Sequence, residues 1–389
     1  MTVRSLDAVC LFFLAIAGIF SILGTLVLLF QRRRPRPPLD VETPVTVLKP
    51  LAGTFPGIRP ALESFFLQSH RRYQLVFGIR SEDVDARAVV EELRRAHRQV
   101  DCDVVLIGPD IGPNRKVSSL HYMLTAAKHD LLLICDDDVS APPDYVARAV
   151  GAMHDPRTGL VTSPYRVTPE TPGLALDALA RATELLPSVA LSEWLEHGLS
   201  FSLGASSIVR RVALDEIGGI QTLADFLAED YLLGARIRAK GWGVRLSTEM
   251  VDLGHNFRSA REYILHQLRW SRTYRFCRPV GYFLSILTQG IFLACVALLV
   301  TGASAVATIA AAAVLLLRLA TAAVDILLVG HRSLLAWLPL VPLRDLLSVG
   351  FWAASFLGNR VAWRGRTLRI SSGGRISVGA SKPTPVLRP

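Results

Sequence analysis

The sequence predicts an α/β domain built on a mostly parallel sheet and joined to transmembrane α-helices. Three observations carry that prediction. Apolar residues pile up in two blocks, residues 8–30 and the region after 282. Between the blocks, short apolar runs alternate with amphipathic helical patterns, the signature of strands linked by crossover helices. At the centre stands Leu131-Leu132-Leu133-Ile134-Cys135, a strand pattern buried on both faces, followed at once by Asp136-Asp137-Asp138. Ligands of open α/β sheets bind outside the carboxyl ends of the strands, where these three carboxylates lie.

Composition narrows the class. The 389 residues have a mean hydropathy of +0.36 and a net charge of +10. A basic chain invites a nucleic-acid reading, but the charges flank the apolar blocks, at Arg32-Arg33-Arg34 and Arg36, at 269–278 and along 360–388. That is the positive-inside pattern of a membrane protein, so no nucleic-acid partner is expected. The five cysteines (10, 102, 135, 277, 295) form no C-x-x-C pair and suggest neither a disulfide framework nor a zinc site.

In chain order, residues 8–30 are long enough to cross a hydrocarbon core of about 30 Å. The apolar run exceeds that of a signal peptide, and arginines stand where a cleavage site would lie, so a retained anchor is expected. A basic, proline-rich linker, 31–44, follows on the cytoplasmic side. The globular domain, 45–258, then reads as strand 45–48, helix 59–69, strand 73–79, helix 86–98, strand 104–107, helix 116–129 and strand 131–135. A further strand is expected at 159–165, helix over 174–197 broken near Pro187, and strand and loop over 201–210. Neither G-x-G-x-x-G nor a Walker loop occurs. Residues 259–278 form a basic amphipathic helix of the kind that lies in a membrane interface. Transmembrane helices are expected at 282–300 and 302–330. Arg318 and Asp325, two turns apart in the second, share a face, where charges tend to pair. The apolar stretch 334–358 is interrupted by Pro342, Arg344 and Asp345. A full crossing there would place the tail outside, although 359–389 carries seven basic residues and no acidic one. A re-entrant or interfacial pair of short helices bent at Pro342, with a basic cytoplasmic tail, removes the conflict.

The chemistry rests on two acidic clusters. Three adjacent carboxylates repel one another unless a positive charge sits among them. Mg²⁺ is usually held by one or two carboxylates plus phosphate oxygens. Residues i and i+2 of an extended segment share a face, which puts Asp136 and Asp138 together as metal ligands and turns Asp137 away. The bland alternative is an acidic turn after a core strand. The second cluster, Glu229-Asp230, opens a helix; capping by acidic residues is the plain reading, and a proton acceptor at Asp230 is the functional one. Arg269 would stabilise a leaving diphosphate, and Trp270 offers an apolar wall. A cytoplasmic domain tethered to a bilayer in this way suits transfer of a group from a soluble phosphate donor to a lipid.

These residues resemble a known family. Val47-Leu48-Lys49-Pro50-Leu51, Asn114-Arg115-Lys116-Val117-Ser118-Ser119-Leu120, Ile134-Cys135-Asp136, Ala228-Glu229-Asp230-Tyr231 and a Gln-x-x-Arg-Trp-type signature at Gln267, Arg269 and Trp270 are similar to the ceramide glucosyltransferase-like membrane glycosyltransferases. Those are inverting enzymes of the GT-A group, families 2 and 21, and the resemblance covers residues 45–280. It implies a UDP-sugar donor, a lipid acceptor, a divalent Mg²⁺ or Mn²⁺, a β-glycoside product and Asp230 as catalytic base. Its first motif aspartate falls on Asp83 or Asp85. Donor contacts are implied at Asn114, Lys116, Asp136, Gln267, Arg269 and Trp270. The D-x-D at 136–138, with 266–273, Arg278-Pro279-x-Gly281-Tyr282 and Trp363-Arg364-Gly365-Arg366, resembles the bacterial branch. That branch holds hopanoid-associated transferases using UDP-N-acetylglucosamine and ceramide transferases using UDP-glucose. The expected setting is the cytoplasmic (inner) membrane, with the catalytic domain facing the cytoplasm. Two rivals remain in view. A processive polysaccharide synthase needs more spans than this chain offers. A non-catalytic scaffold on the same fold has no need of so many carboxylates. His197 and His255 lie near site segments but are read as satisfied surface or core residues.

Overall fold

A computed structural model describes residues 3–254, 257, 259–363 and 366–378. His255 and the Arg364-Gly365 part of the terminal motif lie outside the described residues, as does the tail from 379.

The centre is a seven-stranded sheet. Its strands, in spatial order, are Asp101–Leu106, Tyr73–Ile79, Val45–Pro50, Leu131–Cys135, Ser206–Arg210, Thr158–Thr162 and Gly243–Leu246. The first four run parallel; Ser206–Arg210 is antiparallel to both of its neighbours. Val45 stands opposite both Tyr73 and Leu131, so three strand ends finish level and carry their loops to one edge. The inner strands are buried throughout because helices cover both faces. Asp101–Leu106 is the edge strand, and it begins three residues before the apolar run at Val104. Asp101 and Asp103 belong to it and ion-pair with Lys128 at 2.8 and 3.3 Å, which leaves charges on an edge that would otherwise invite another strand. The helix expected over 116–129 spans Arg115–Met123 and tightens into i→i+3 turns at Thr125, Ala126 and Ala127.

Residues 172–195 form one helical rod, and the irregularity lies just before Pro187. The missing N–H of Pro187 leaves the Thr183 carbonyl without its usual partner, and Arg318 donates to that carbonyl at 3.3 Å. The departure is a π-helical turn at Arg181–Leu185, between Pro172–Ala180 and that helix. Such turns re-aim side chains and recur at functional sites.

Among the described residues, three helices are long and apolar enough to cross a membrane: Ser5–Arg32, Ala305–Leu328 and Arg332–Ser355. A fourth span would be Pro279–Thr288 with Gly290–Val300, which meet at 61°. The sharp bend therefore falls at Gln289 rather than at Pro342. Pro342 occupies the first turn of Val341–Ser355, again a position that tolerates it. Arg318 does not pair with Asp325. Two turns of helix separate those residues by about 10 Å along the axis, so Arg318 reaches across to Asp345 at 2.8 Å and to the Thr183 hydroxyl at 2.9 Å.

The basic flank after the first helix is bound to the globular domain. Arg34 pairs with Glu193 at 2.7 Å, and Arg36 forks onto Glu249, with Nε at 2.8 Å. The segment 360–378 is likewise folded. Arg360–Trp363, Arg366–Ile370 and Ile376–Val378 form an antiparallel sheet. Ile376 N–H donates to the Asp225 carbonyl at 2.7 Å, and Leu227 N–H to that of Gly374 at 3.1 Å. Arg272 and Arg275 of the helix Ala260–Cys277 donate to the carbonyls of Arg360 and Gly358. This small sheet ties that helix to the loop preceding Glu229.

Candidate active site

One cavity of about 720 Å³ opens at the strand-end edge of the large sheet. Asp136, Asp138, Lys116, Asp230, Gln267, Arg269 and Trp270 all line it, so the structure gathers residues more than 150 positions apart in sequence.

The core strand Leu131–Cys135 delivers the first acidic cluster. Asp136 N–H donates to the Ala205 carbonyl at 2.9 Å, and residues 136–139 then turn instead of running on extended. Asp137 is buried and accepts the Ala52 N–H at 3.1 Å. Lys49, fully buried over the Phe65 ring at 4.0 Å, braces the turn by donating to the Asp136 carbonyl at 2.8 Å.

Lys116 is the positive charge that the carboxylates require. Its ammonium lies 2.6 Å from Asp136 Oδ1 and 3.1 Å from Glu229 Oε1, and it donates to the Gly204 carbonyl at 3.2 Å. An ammonium has three donors, and all three are engaged. Lys116 thus binds the two acidic clusters together at the edge of the cavity for which the resemblance implies a sugar donor. Asn114 is held by a comparable set of bonds. It caps the helix Arg115–Met123 through Val117 N–H at 3.1 Å, while its amide donates to Phe226 O at 2.8 Å and Glu229 Oε2 at 2.9 Å. Fully buried and fully bonded, it positions Glu229.

Asp230 stands in the first turn of Glu229–Ala239. Neither acidic side chain of that turn is a mere cap. Glu229 is taken by Asn114 and Lys116, and Asp230 Oδ1 accepts the Tyr231 N–H at 2.8 Å. The Asp230 carboxyl is pushed up to about 7. Burial is the main cause and the Glu229 charge the second, with Lys116 pulling the other way. A carboxyl poised near neutrality suits a general base. Gly204 leaves it room, since a Cβ there would stand 2.5 Å from Asp230 Oδ2.

The far wall is the helix Ala260–Cys277. Counting back three from Arg269 reaches His266, so Gln267 stands one place away from the glutamine of a Gln-x-x-Arg-Trp spacing. Helical geometry separates the two. His266 stacks toward Trp270 with ring centroids 5.6 Å apart, as i and i+4 should. Gln267 points elsewhere and donates to Asp177 Oδ1 at 2.8 Å. Asp177 in turn pairs with Arg181 at 2.8 Å. The Arg181 guanidinium lies between the rings of Tyr165 and Trp270, at 4.9 and 4.7 Å, a buried cation–π sandwich. This unit begins at the π-helical turn, which no sequence pattern announces. Arg278 also lines the cavity, held by Glu196 at 3.2 Å and the Tyr231 hydroxyl at 3.2 Å. Trp363, from the small terminal sheet, completes the wall.

Asp83 and Asp85 do not line this cavity. Asp85 is exposed on the helix Val84–Ala96. Asp83 precedes it, half-buried beside Gly53, and burial raises its carboxyl despite the Gly53 N–H bond.

Asp136 and Asp138 both line the cavity, and two carboxylates match a hard divalent cation whose shell is completed by phosphate and water. Among the described residues no three His, Cys, Asp or Glu side chains form a cage, so any such ion would depend on its substrate for ligands.

Comparison with known proteins agrees with this architecture. Ceramide glucosyltransferase 1 of Caenorhabditis elegans is 29% identical over 206 residues, 52% of this chain and 44% of that protein. Ceramide glucosyltransferase 3 of the same organism is 27% identical over 228 residues, 58% and 49% of the two chains. The chain thus spans less than half the length of these curated relatives. Among solved structures, the mannosyltransferase PcManGT from Pyrobaculum calidifontis, in complex with GDP-Man and Mn²⁺, superposes with a TM-score of 0.55 at 17% identity. That match covers 90% of this chain and 98% of that one. The likeness is one of fold, the GT-A α/β domain with appended helices. The pattern of glycosyl transferase family 21 runs through residues 10–376, from the first apolar helix to the small terminal sheet, and the chain belongs to that family.

Proposed function

We propose that the protein is a membrane-bound inverting glycosyltransferase that moves a hexosyl group from a UDP-sugar to a lipid hydroxyl, giving a β-glycolipid. The observation that carries the reading is the composition of the 720 Å³ cavity. At one end it holds the carboxylates and Asp230; at the other its walls come from Pro279–Thr288 and Val341–Ser355, segments apolar enough for a bilayer. A soluble, charged donor and an apolar acceptor would meet there.

Asp230 takes the proton of the acceptor hydroxyl, whose oxygen attacks the anomeric carbon from the face opposite the departing diphosphate. One bond forms, one breaks, and the configuration inverts. Lys116 keeps Asp136 and Glu229 in place and holds Asp230 below the still higher value that burial alone would set. Arg269 and Arg278 face the cavity and supply positive charge for a leaving diphosphate. Trp270, fixed by Arg181, forms a flat wall for the sugar. Asp136 and Asp138 would hold Mg²⁺ or Mn²⁺, which neutralises diphosphate charge when bound. Asp83, beside the loop at Gly53, is the better placed of the two early aspartates for the nucleoside. The acceptor is a ceramide or a hopanoid polyol, the sugar glucose or N-acetylglucosamine, and the catalytic domain faces the cytoplasm at the inner membrane.

The test offers purified protein in nanodiscs UDP-glucose or UDP-N-acetylglucosamine, each with ceramide or bacteriohopanetetrol and Mg²⁺ or Mn²⁺. Lipid products are read by mass spectrometry beside an Asp230→Asn control. A hexosyl or N-acetylhexosaminyl lipid that disappears in the control supports the reading. Products carrying many sugars, or no lipid product from folded protein, overturn it.

A further inference from the structure

The acidic end of the cavity accounts for the sugar-transfer chemistry. Its other end contains charged groups that this chemistry does not use. Glu184 projects from the π-helical turn Arg181–Leu185 into the same cavity. Its Oε2 accepts from Arg344 Nη2 at 2.8 Å and from the Ser348 hydroxyl at 3.2 Å. Arg344 also donates to Ser348. Gln289, at the 61° bend, approaches Glu184 Oε1 at a long 3.4 Å.

Three features set this group apart from a helix-packing ion pair. Arg344 and Ser348 belong to a span where charge is costly and is kept for a purpose. The pair is unequally covered, Arg344 being 8% exposed and Glu184 39%, and the cavity is what Glu184 faces. Finally, an ionised carboxylate has about four acceptor sites. Oε2 is occupied by two donors, whereas Oε1 carries only the long Gln289 contact.

We propose that Glu184, backed by Arg344 and Ser348, is an acceptor-positioning subsite. It receives an O–H or N–H donor of a neutral lipid headgroup and rejects headgroups that carry phosphate. A carboxylate can only accept hydrogen bonds, so it recognises hydroxyls and amides and repels an anion. Glu184 and Asp230 line the same cavity, which sets the subsite and the base within one pocket. One donor of the headgroup rests on Glu184 while another hydroxyl is presented to Asp230. The inference rests on the lipid-acceptor reading above.

The experiment uses full-length protein in nanodiscs. Binding of a fluorescent short-chain ceramide, a hopanoid polyol and ceramide 1-phosphate is measured apart from turnover. Wild type is compared with Glu184→Gln and with the double variant Glu184→Met/Arg344→Met, which leaves no charge unpaired and so tests the subsite even where the single variant fails to fold. Both variants are expected to raise the acceptor KM at least tenfold, with kcat and the donor KM within about twofold. Glu184→Gln is expected to shrink the preference for neutral over phosphorylated lipid at least tenfold. A wild-type protein that transfers sugar, with both variants keeping its acceptor KM and that preference, overturns the subsite. Wild type that binds neutral lipid yet transfers nothing overturns the reaction alone, and the binding preference of Glu184→Gln then decides the subsite. Wild type that neither binds nor glycosylates a neutral lipid overturns both.

Discussion

Replacing Asp230 with asparagine should abolish sugar transfer and, above neutral pH, stabilise the protein. Asp230 is held in the folded state near 7, against an ordinary value of 3.8. A raised carboxyl binds its proton more tightly when folded than when unfolded. Its charge therefore costs nothing below about pH 4, an increasing amount between 4 and 7, and the full amount above 7. About three pH units at 1.36 kcal/mol each is about 4 kcal/mol. Relaxation of the surroundings offsets part of this, so a gain of about 2–4 kcal/mol is expected for the variant at pH 8. At pH 4 the two proteins should be equally stable. Asparagine keeps the acceptor for Tyr231 N–H, so the helix start is preserved. The assay is thermal unfolding in detergent at pH 4, 6 and 8 without metal or donor, beside transfer activity, which should fall at least a hundredfold. Wild-type kcat/KM should rise with pH through about 7, because only the ionised carboxyl accepts a proton. A variant with the same stability offset at pH 4 and pH 8, or with none at pH 8, would refute the reasoning.

Other outcomes follow from the same contacts. Lys116→Met strips the charge between Asp136 and Glu229 and should cost about 3–5 kcal/mol in chemical denaturation at pH 7.5. Gly204→Ala drives a methyl group against Asp230 and should lower kcat at least tenfold while circular dichroism melting changes little. Asp138→Asn should raise the Mn²⁺ or Mg²⁺ concentration for half-maximal transfer at least tenfold, and chelation should stop the wild-type reaction reversibly.

The parts of this protein that sequence exposes are those where one physical demand dominates. Tyr73–Ile79 and Leu131–Cys135 coincide with their apolar runs because both strands are buried on two faces. The edge strand was harder to delimit, since Asp101 and Asp103 look like loop residues until Lys128 is seen beside them. Lys116 and Asn114 were legible as site residues, but the carboxylates they hold are shown only by the pairing distances. The distinction between His266 and Gln267 is a matter of 100° around a helix. Arg181 and Glu184 gave no signal because a π-helical turn has no sequence signature. The terminal sheet did leave one, the alternation in Arg360-Val361-Ala362-Trp363 and Thr367-Leu368-Arg369-Ile370, hidden beneath the basic composition.

That small sheet bears on biogenesis. Its strands are translated about 130 residues after Asp230, yet they secure the loop from which the base projects. A nascent chain can insert its first helix and fold most of the central sheet while the ribosome is still making the later spans. The pocket wall at Trp363 and the tether at Asp225 and Leu227 arrive only afterwards. A protein built in this order completes its pocket only once the segments after its last spans have been made.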